Sequence, residues 1–262
     1  MKIERILVGC GLGEGENEVW KTALGVGKVY GSQVLPVHVH GGDGLLGGSS
    51  ESEEFAQARL EALATQGREA GVEIAPPEVL HGKPAEQLLK RAESWGASWV
   101  VIGAAERSGW ERLLGASAEQ LCRESKLPTL LVPPGGHPQW THVLCAVDGS
   151  KPARAALGLA LEMSRNFTAQ LTLLYVETED EAKREAADEV MRSMGMHEVE
   201  VDVLTRKGES VPAVIAAARE ETGADLLVMG TAGRTGLGRI LRPNTAEALL
   251  RNLTCPLLVA PA

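Results

Sequence analysis

The chain has 262 residues, a formal net charge of −9 and an isoelectric point near 5.3. That balance argues against a general nucleic-acid binder, whose footprint is basic. There is no leader-like apolar segment at the start and no apolar run near eighteen residues, so neither a signal peptide nor a membrane span is expected. Cys10, Cys122, Cys145 and Cys255 are scattered without CxxC spacing. They are expected to be buried free thiols of a cytoplasmic protein.

In chain order, residues 3–8 read as an apolar strand, followed by the glycine-rich turn 9–16. A second strand covers 34–39. His38 and His40 flank Val39 there and face one side. A metal pair is geometrically possible, but no acid or cysteine at fixed spacing completes a ligand set. The expectation is polar residues at a strand end. Residues 41–50 form a flexible loop by composition. Residues 51–70 predict a helix with Phe55, Leu60 and Leu63 on its apolar stripe, and 85–95 predict another. Strands at 99–103 and 127–133 close the first half. Trp95, Trp99 and Trp110 are expected to pack in a core or interface.

The Gly and Pro content near residue 135 marks a boundary, giving domains at 1–134 and 140–262 with a linker at 135–139. The second half then repeats the first. Strands are expected at 143–147, 171–176, 224–229 and 255–261, with helices at 153–164, 181–194 and 211–220. Ala213, Val214, Ala217 and Ala218 recur at helical spacing in the last of these. The charge run 177–185 reads as a solvated loop leading into a helix. The offset between halves is 148 − 11 = 137 at the first strand and 230 − 103 = 127 at the fourth. Half one therefore carries extra residues, placed at the loop 41–50. Strands alternating with helices imply an α/β fold with a parallel sheet and right-handed crossovers.

Two places carry chemistry. The strand 224–229 runs into Met229-Gly230-Thr231-Ala232-Gly233, a basic loop with Arg234, Arg239 and Arg242, then Pro243-Asn244-Thr245-Ala246-Glu247. Glycines at a strand end let backbone N–H groups approach an anion. Asn244 or Thr245 opens a helix, with Glu247 placed as in a capping box, and free N–H groups at a helix start attract phosphate. The combination reads as a nucleotide-phosphate cradle. The strand 143–147 ends in Asp148-Gly149-Ser150. Asp148 either accepts hydrogen bonds from ligand NH or OH groups, as befits a strand tip near a switch point, or caps the next helix.

The Val-Asp-Gly-Ser run at 147–150, the strand 171–176 and Gly230-x-x-Gly233 resemble the universal stress protein family. The resemblance covers nearly the whole chain as two tandem copies. It implies two Rossmann-like domains, each a five-stranded parallel sheet in the order 3-2-1-4-5 with helices on both faces. It also implies a stress-response or regulatory module that binds ATP, with or without Mg2+, and acts on a protein partner that the residues do not identify. ATP-binding members carry Gly, two residues, Gly, nine residues, then Gly and Ser or Thr. Here Gly230, Gly233 and the nine residues 234–242 match, while Pro243 and Asn244 stand at the last two places. Pro243 lacks an N–H, whereas Asn244 keeps an amide donor and the nearby arginines add positive charge.

By that resemblance, Ala146, Val147 and Asp148 belong to the nucleotide site, with Asp148 contacting the ribose or base, and the backbone of Val176 lies against adenine. Met229, Gly230, Thr231, Ala232 and Gly233 turn under the phosphates, and Arg234, Asn244 and Thr245 contact phosphate oxygens. No catalytic residue and no metal ligand is assigned. The first half is expected to be degenerate: Gly11 stands where Asp148 does, and Glu106 replaces the second cradle glycine. A carboxylate there opposes a triphosphate by a few kcal/mol, on the order of a partly buried like-charge contact. The final strands of the halves are expected to pair as an intrachain pseudo-dimer, with homodimerisation left open. One rival is a slow ATP hydrolase or a nucleotidyl- or phosphoryl-transfer enzyme. It lacks a GxxxxGK[ST] loop and an obvious second acid for magnesium. Another rival is an interaction protein whose sites have both decayed.

Overall fold

The computed structural model describes residues 2–13, 16–40, 52–104, 116–136, 138–148, 150–176, 200–208, 210–230 and 254–261. Internal contacts divide the chain into two units, Met1–Pro138 and Gln139–Ala262. The first contains β1 (Arg5–Gly9), α1 (Glu16–Tyr30), β2 (Gln33–His40), α2 (Glu53–Glu69), β3 (Glu73–Ile74), β4 (Glu78–His81), α3 (Pro84–Trp95), β5 (Trp99–Gly103), α4 (Ala116–Glu124) and β6 (Thr129–Val132). The second contains β7 (His142–Val147), α5 (Lys151–Phe167), β8 (Gln170–Val176), β9 (Val201–Arg206), α6 (Val211–Thr222), β10 (Leu226–Gly230) and β11 (Leu257–Ala260).

Every strand pair within a unit is parallel. In the first unit β2 pairs with β1, β1 with β5 and β5 with β6, while β3 and β4 both lie along the outer side of β2. In the second unit the order is β9-β8-β7-β10-β11. Both units thus show the expected 3-2-1-4-5 order, with β4 as the third strand of the first unit. The chain winds outward one way from β1 or β7 and returns on the other side. The switch points fall between β1 and β5 and between β7 and β10.

The inner strands are apolar on both faces because helices cover both, whereas the edge strand β9 is largely exposed. Ile6, Leu7 and Val8 of β1 and Val143, Leu144 and Cys145 of β7 are all fully buried. The extra residues of the first unit lie between its second and third strands; the loop 41–50, where they are expected, lies outside the described residues. Val39 pairs with Leu80 in the first unit and Val176 with Arg206 in the second, separations of 80 − 39 = 41 and 206 − 176 = 30 residues.

Two helix faces differ from the expectation by one position. In α2 the buried residues are Ala56, Leu60, Leu63, Ala64 and Gly67, and Phe55 is 45% exposed. Ser52 fixes the start, its Oγ accepting the Phe55 N–H at 3.2 Å. The face is then set by Gly67, where a Cβ would stand 2.6 Å from Ile74 Cδ1 and 3.0 Å from Trp20 Cζ2. In α6 Val214, Ile215 and Ala218 are buried, while Ala213 and Ala217 are exposed. Alanine periodicity is a poor guide because alanine is tolerated on either face. Of the tryptophans, Trp99 is fully buried and Trp95 lies under the Arg5 guanidinium, 5.6 Å from the ring centroid. Trp110, the loop 177–185 and the helix expected at 181–194 lie outside the described residues.

The end of each sheet opposite the switch point is bracketed by one side chain. In the second unit the Asp225 carboxylate accepts from the Thr141 N–H, the Thr141 hydroxyl at 2.7 Å and the His142 N–H at 2.9 Å. In the first unit Ser98 Oγ accepts from the Glu4 and Arg5 N–H groups. Ser98 and Asp225 occupy the same place in the repeat. Asp225 is therefore an acid committed to holding β7 against β10, far from the carboxyl ends.

Candidate functional site

The candidate site is built at the carboxyl ends of β7, β8 and β10. Val147 is buried, and Ala146, Asp148, Val176, Met229 and Gly230 are half-buried around it. The register brings them to one edge: Ala146 pairs with Leu174 and Val147 with Tyr175 of β8, while β10 flanks β7 on the other side. Thr231, Ala232, Gly233, Arg234, Asn244 and Thr245, with the helix start expected there, lie outside the described residues.

Asp148 does not cap α5. The cap is Ser150, whose Oγ accepts the Ala153 N–H at 3.2 Å, with Pro152 in the first turn. Asp148 Oδ1 accepts the Ser150 N–H at 3.0 Å, a local turn that orients the carboxylate. Its second oxygen has no partner among the described residues. Ser150→Ala is expected to cost about 1 kcal/mol, the usual worth of an N-cap hydroxyl. Thermal unfolding should then show a drop of a few degrees, with little change at Asp148.

Gly230 has a packing reason to be glycine. A Cβ there would stand 2.4 Å from the Pro152 carbonyl carbon and 2.5 Å from its oxygen. The end of β10 and the first turn of α5 therefore touch backbone to backbone. This contact draws the helix start over the strand ends. The first turn of α5 carries no acidic residue; Pro152 has no N–H and the Ala153 and Arg154 N–H groups are taken by Ser150, so the Lys151 N–H and the partial positive charge of the helix start are what is left for a ligand anion.

The corresponding corner of the first unit is chemically different. By strand register Gly9, Cys10 and Gly11 stand where Ala146, Val147 and Asp148 do. The first turn of α1 carries Glu16 and Glu18. Glu16 is buried, and its Oε2 accepts from Arg59 Nη2 at 2.9 Å. That helix start thus carries acid in its first turn, paired to Arg59 of α2, where α5 carries none. Gly103, the counterpart of Gly230, has only an ordinary 3.5 Å contact to Val19 at its missing Cβ. Residues 105 and 106 lie outside the described residues.

Neither corner offers a reactive thiol. None of the four cysteines is in a disulfide. Burial pushes the Cys10 and Cys145 thiols far above the ordinary range, with the Glu16 carboxylate adding to the effect at Cys10. Cys122 is pushed up to about 12 by burial and then by Glu119, and Cys255 is also raised by burial against the opposing pull of Arg219. Thiolate is the reacting form. The native protein should therefore be nearly inert to a thiol reagent at pH 8 and titrate four thiols only after denaturation.

Sequence reasoning missed two features. Ser150 was not separated from Asp148 as the cap, although its position before Lys151-Pro152 was a signal. The neighbourhood of His38 and His40 also contains His81, which strand register alone brings there.

Two tandem doubly wound α/β units, each with a helix start drawn to the switch point of its sheet, define an architecture that places small ligands at the strand ends. The chain belongs to the universal stress protein family: the model of that family matches residues 2–133 and again 139–261. It is 31% identical over 142 residues to a universal stress protein of Methanocaldococcus jannaschii, an overlap of 47% of this chain and 84% of that protein. A universal stress protein from Archaeoglobus fulgidus DSM 4304 superimposes with a TM-score of 0.79 at 24% identity, covering 100% of this chain and 99% of that one. A functionally unknown protein from Pseudomonas aeruginosa PAO1 gives 0.75 at 20% identity, covering 99% and 92%. These two likenesses establish the fold. No described helix is long and apolar enough to cross a membrane.

Proposed function

We propose that this chain is a regulatory nucleotide-binding module that holds ATP in its carboxy-terminal unit and acts in a cytoplasmic stress response. The observation that carries the reading is the contrast between the two helix starts. The first turn of α5 is free of acid and lies beside an Asp148 oxygen that has no partner among the described residues, whereas α1 carries a buried carboxylate of its own. In this reading Asp148 takes the ribose or base and Val176 lies against adenine. Met229 and Gly230 lead into the turn 231–233 under the phosphates, and Arg234, Asn244 and Thr245 bind phosphate oxygens. Magnesium would enter on the nucleotide's own oxygens, its usual mode. Among the described residues no group of three His, Cys, Asp or Glu is arranged to hold a metal. With no residue assigned to activate water, the module works by occupancy, and ATP switches it only by binding two conformations unequally.

The test is the mass of any small molecule released when freshly purified protein is denatured, followed by calorimetric titration of the emptied protein with ATP, ADP and AMP. Released adenine nucleotide and one site per chain support the proposal. An emptied, folded protein that takes up none of the three overturns it.

A further inference from the structure

We propose that His38, His40 and His81 form a binding site for a divalent transition-metal ion of the zinc, nickel and copper class, at the carboxyl end of β2 and β4. His40 and His81 are direct partners in the parallel β2–β4 register, so their side chains share one face of the sheet. His38, two residues back on β2, shares it too. The rings follow one another edge-on, with centroids 6.4 Å apart from His38 to His40 and 5.9 Å apart from His40 to His81.

The hydrogen bonding sets up the donor atoms. His38 Nδ1 lies 2.8 Å from the Cys10 carbonyl oxygen. A carbonyl only accepts, so Nδ1 carries the proton and donates it, and the lone pair is left on Nε2. That nitrogen is buried in a side chain only 6% exposed and has no partner among the described residues. An imidazole whose one nitrogen is tied to a backbone carbonyl and whose other is bare has the arrangement of a metal ligand with its outer support in place. His40 Nδ1 is likewise buried without a partner.

His81 completes the row from outside. Its side chain is 60% exposed and held only by a 3.5 Å contact between Nε2 and Glu53 Oε2. With metal–nitrogen bonds of about 2.0–2.1 Å, two imidazoles on one tetrahedral ion have centroids about 5 Å apart. Adjacent rings must close by about 1 Å, and His81 must also swing toward His38 at the other end of the row so that all three face one ion, movements that the side-chain torsions of His40 and His81 supply. As they stand no three such side chains among the described residues hold an ion, so binding draws them together and the affinity is below that of a rigid cage. Nitrogen donors select the zinc, nickel and copper class over magnesium and calcium, with water completing the shell. The site lies wholly in the first unit and is independent of Asp148.

The experiment uses the full chain without a histidine tag, stripped with chelator, then titrated with Zn2+ by calorimetry and with Co2+ by visible absorption. The expected result is one ion per chain, ligand-field bands of nitrogen-bound Co2+, and at least about tenfold weaker binding in His81→Ala and in His40→Gln. His81→Ala changes an exposed side chain, so its fold should be intact by circular dichroism. If no saturable binding occurs below about 1 mM, or if the His40→Gln/His81→Ala double variant binds as tightly as the parent, the proposal is overturned.

Discussion

Replacing Asp148 with alanine is expected to weaken ATP binding by about 10- to 100-fold while leaving the melting temperature nearly unchanged. A hydrogen bond to a charged group contributes about 1.5–3 kcal/mol, and each 1.4 kcal/mol is a factor of ten. The carboxylate is free to make such a bond because Ser150 has taken over the capping of α5. What folding loses is one local bond from the Ser150 N–H at a half-buried position, where water can replace the carboxylate. Asp148→Asn keeps an acceptor for that N–H but removes the charge, so it should fall between parent and alanine. Calorimetric titration with ATP beside a thermal melt reads both effects. A variant that melts normally and binds ATP as before would remove Asp148 from the site, and the contrast between α5 and α1 would lose its functional meaning.

Much of this architecture was legible in the residues, for identifiable physical reasons. Strands buried on both faces must be apolar throughout, so 143–147 and 224–229 stood out without any alignment. The ten-residue change of offset bounded the insertion between the first and fourth strands, and strand register narrows it to the span between the second and third, because a parallel repeat conserves register and lets only the connections vary. Helix faces were harder. Phe55 looked like core because it is large and apolar, yet Gly67 lets α2 seat closely against Ile74 and Trp20 and turns Phe55 outward. α1 escaped notice because Gly25 and Gly27 interrupt its pattern, and a Cβ at Gly27 would stand 3.0 Å from Val34 Cγ2, so the helix seats closely there only with glycine. In the candidate site, Asp148 was visible as an acid at a strand tip, but its release from capping depends on a competition with Ser150 that only geometry decides. The row of histidines was two-thirds visible. His38 and His40 announce themselves by spacing, whereas His81 arrives through pairing of β2 with β4 across 41 residues.

Gly230→Ala is expected to damage stability and ATP binding together, and so to separate from the Asp148 variants. The added methyl would meet the Pro152 carbonyl carbon and oxygen at 2.4 and 2.5 Å, and the backbone there cannot swing aside as a side-chain tip would. Overpacking of this kind costs about 1–3 kcal/mol. The opposing gain, from reduced freedom of the unfolded chain, is about 0.4–1 kcal/mol, so the net effect is destabilising. The structure can relieve the clash by moving the start of α5 away from the end of β10. That motion widens the place where the positive start of α5 faces the strand ends, and it shifts the turn that holds Asp148. ATP affinity should therefore fall even at temperatures where the variant is fully folded, whereas the corresponding Gly103→Ala, with an ordinary 3.5 Å neighbour in Val19, should leave both quantities close to the parent. Denaturant melts and ATP titrations of the two variants decide the matter. Equal stability of Gly230→Ala and Gly103→Ala would mean that the contact between β10 and α5 yields without cost, and the helix start could not then be held where the ligand needs it.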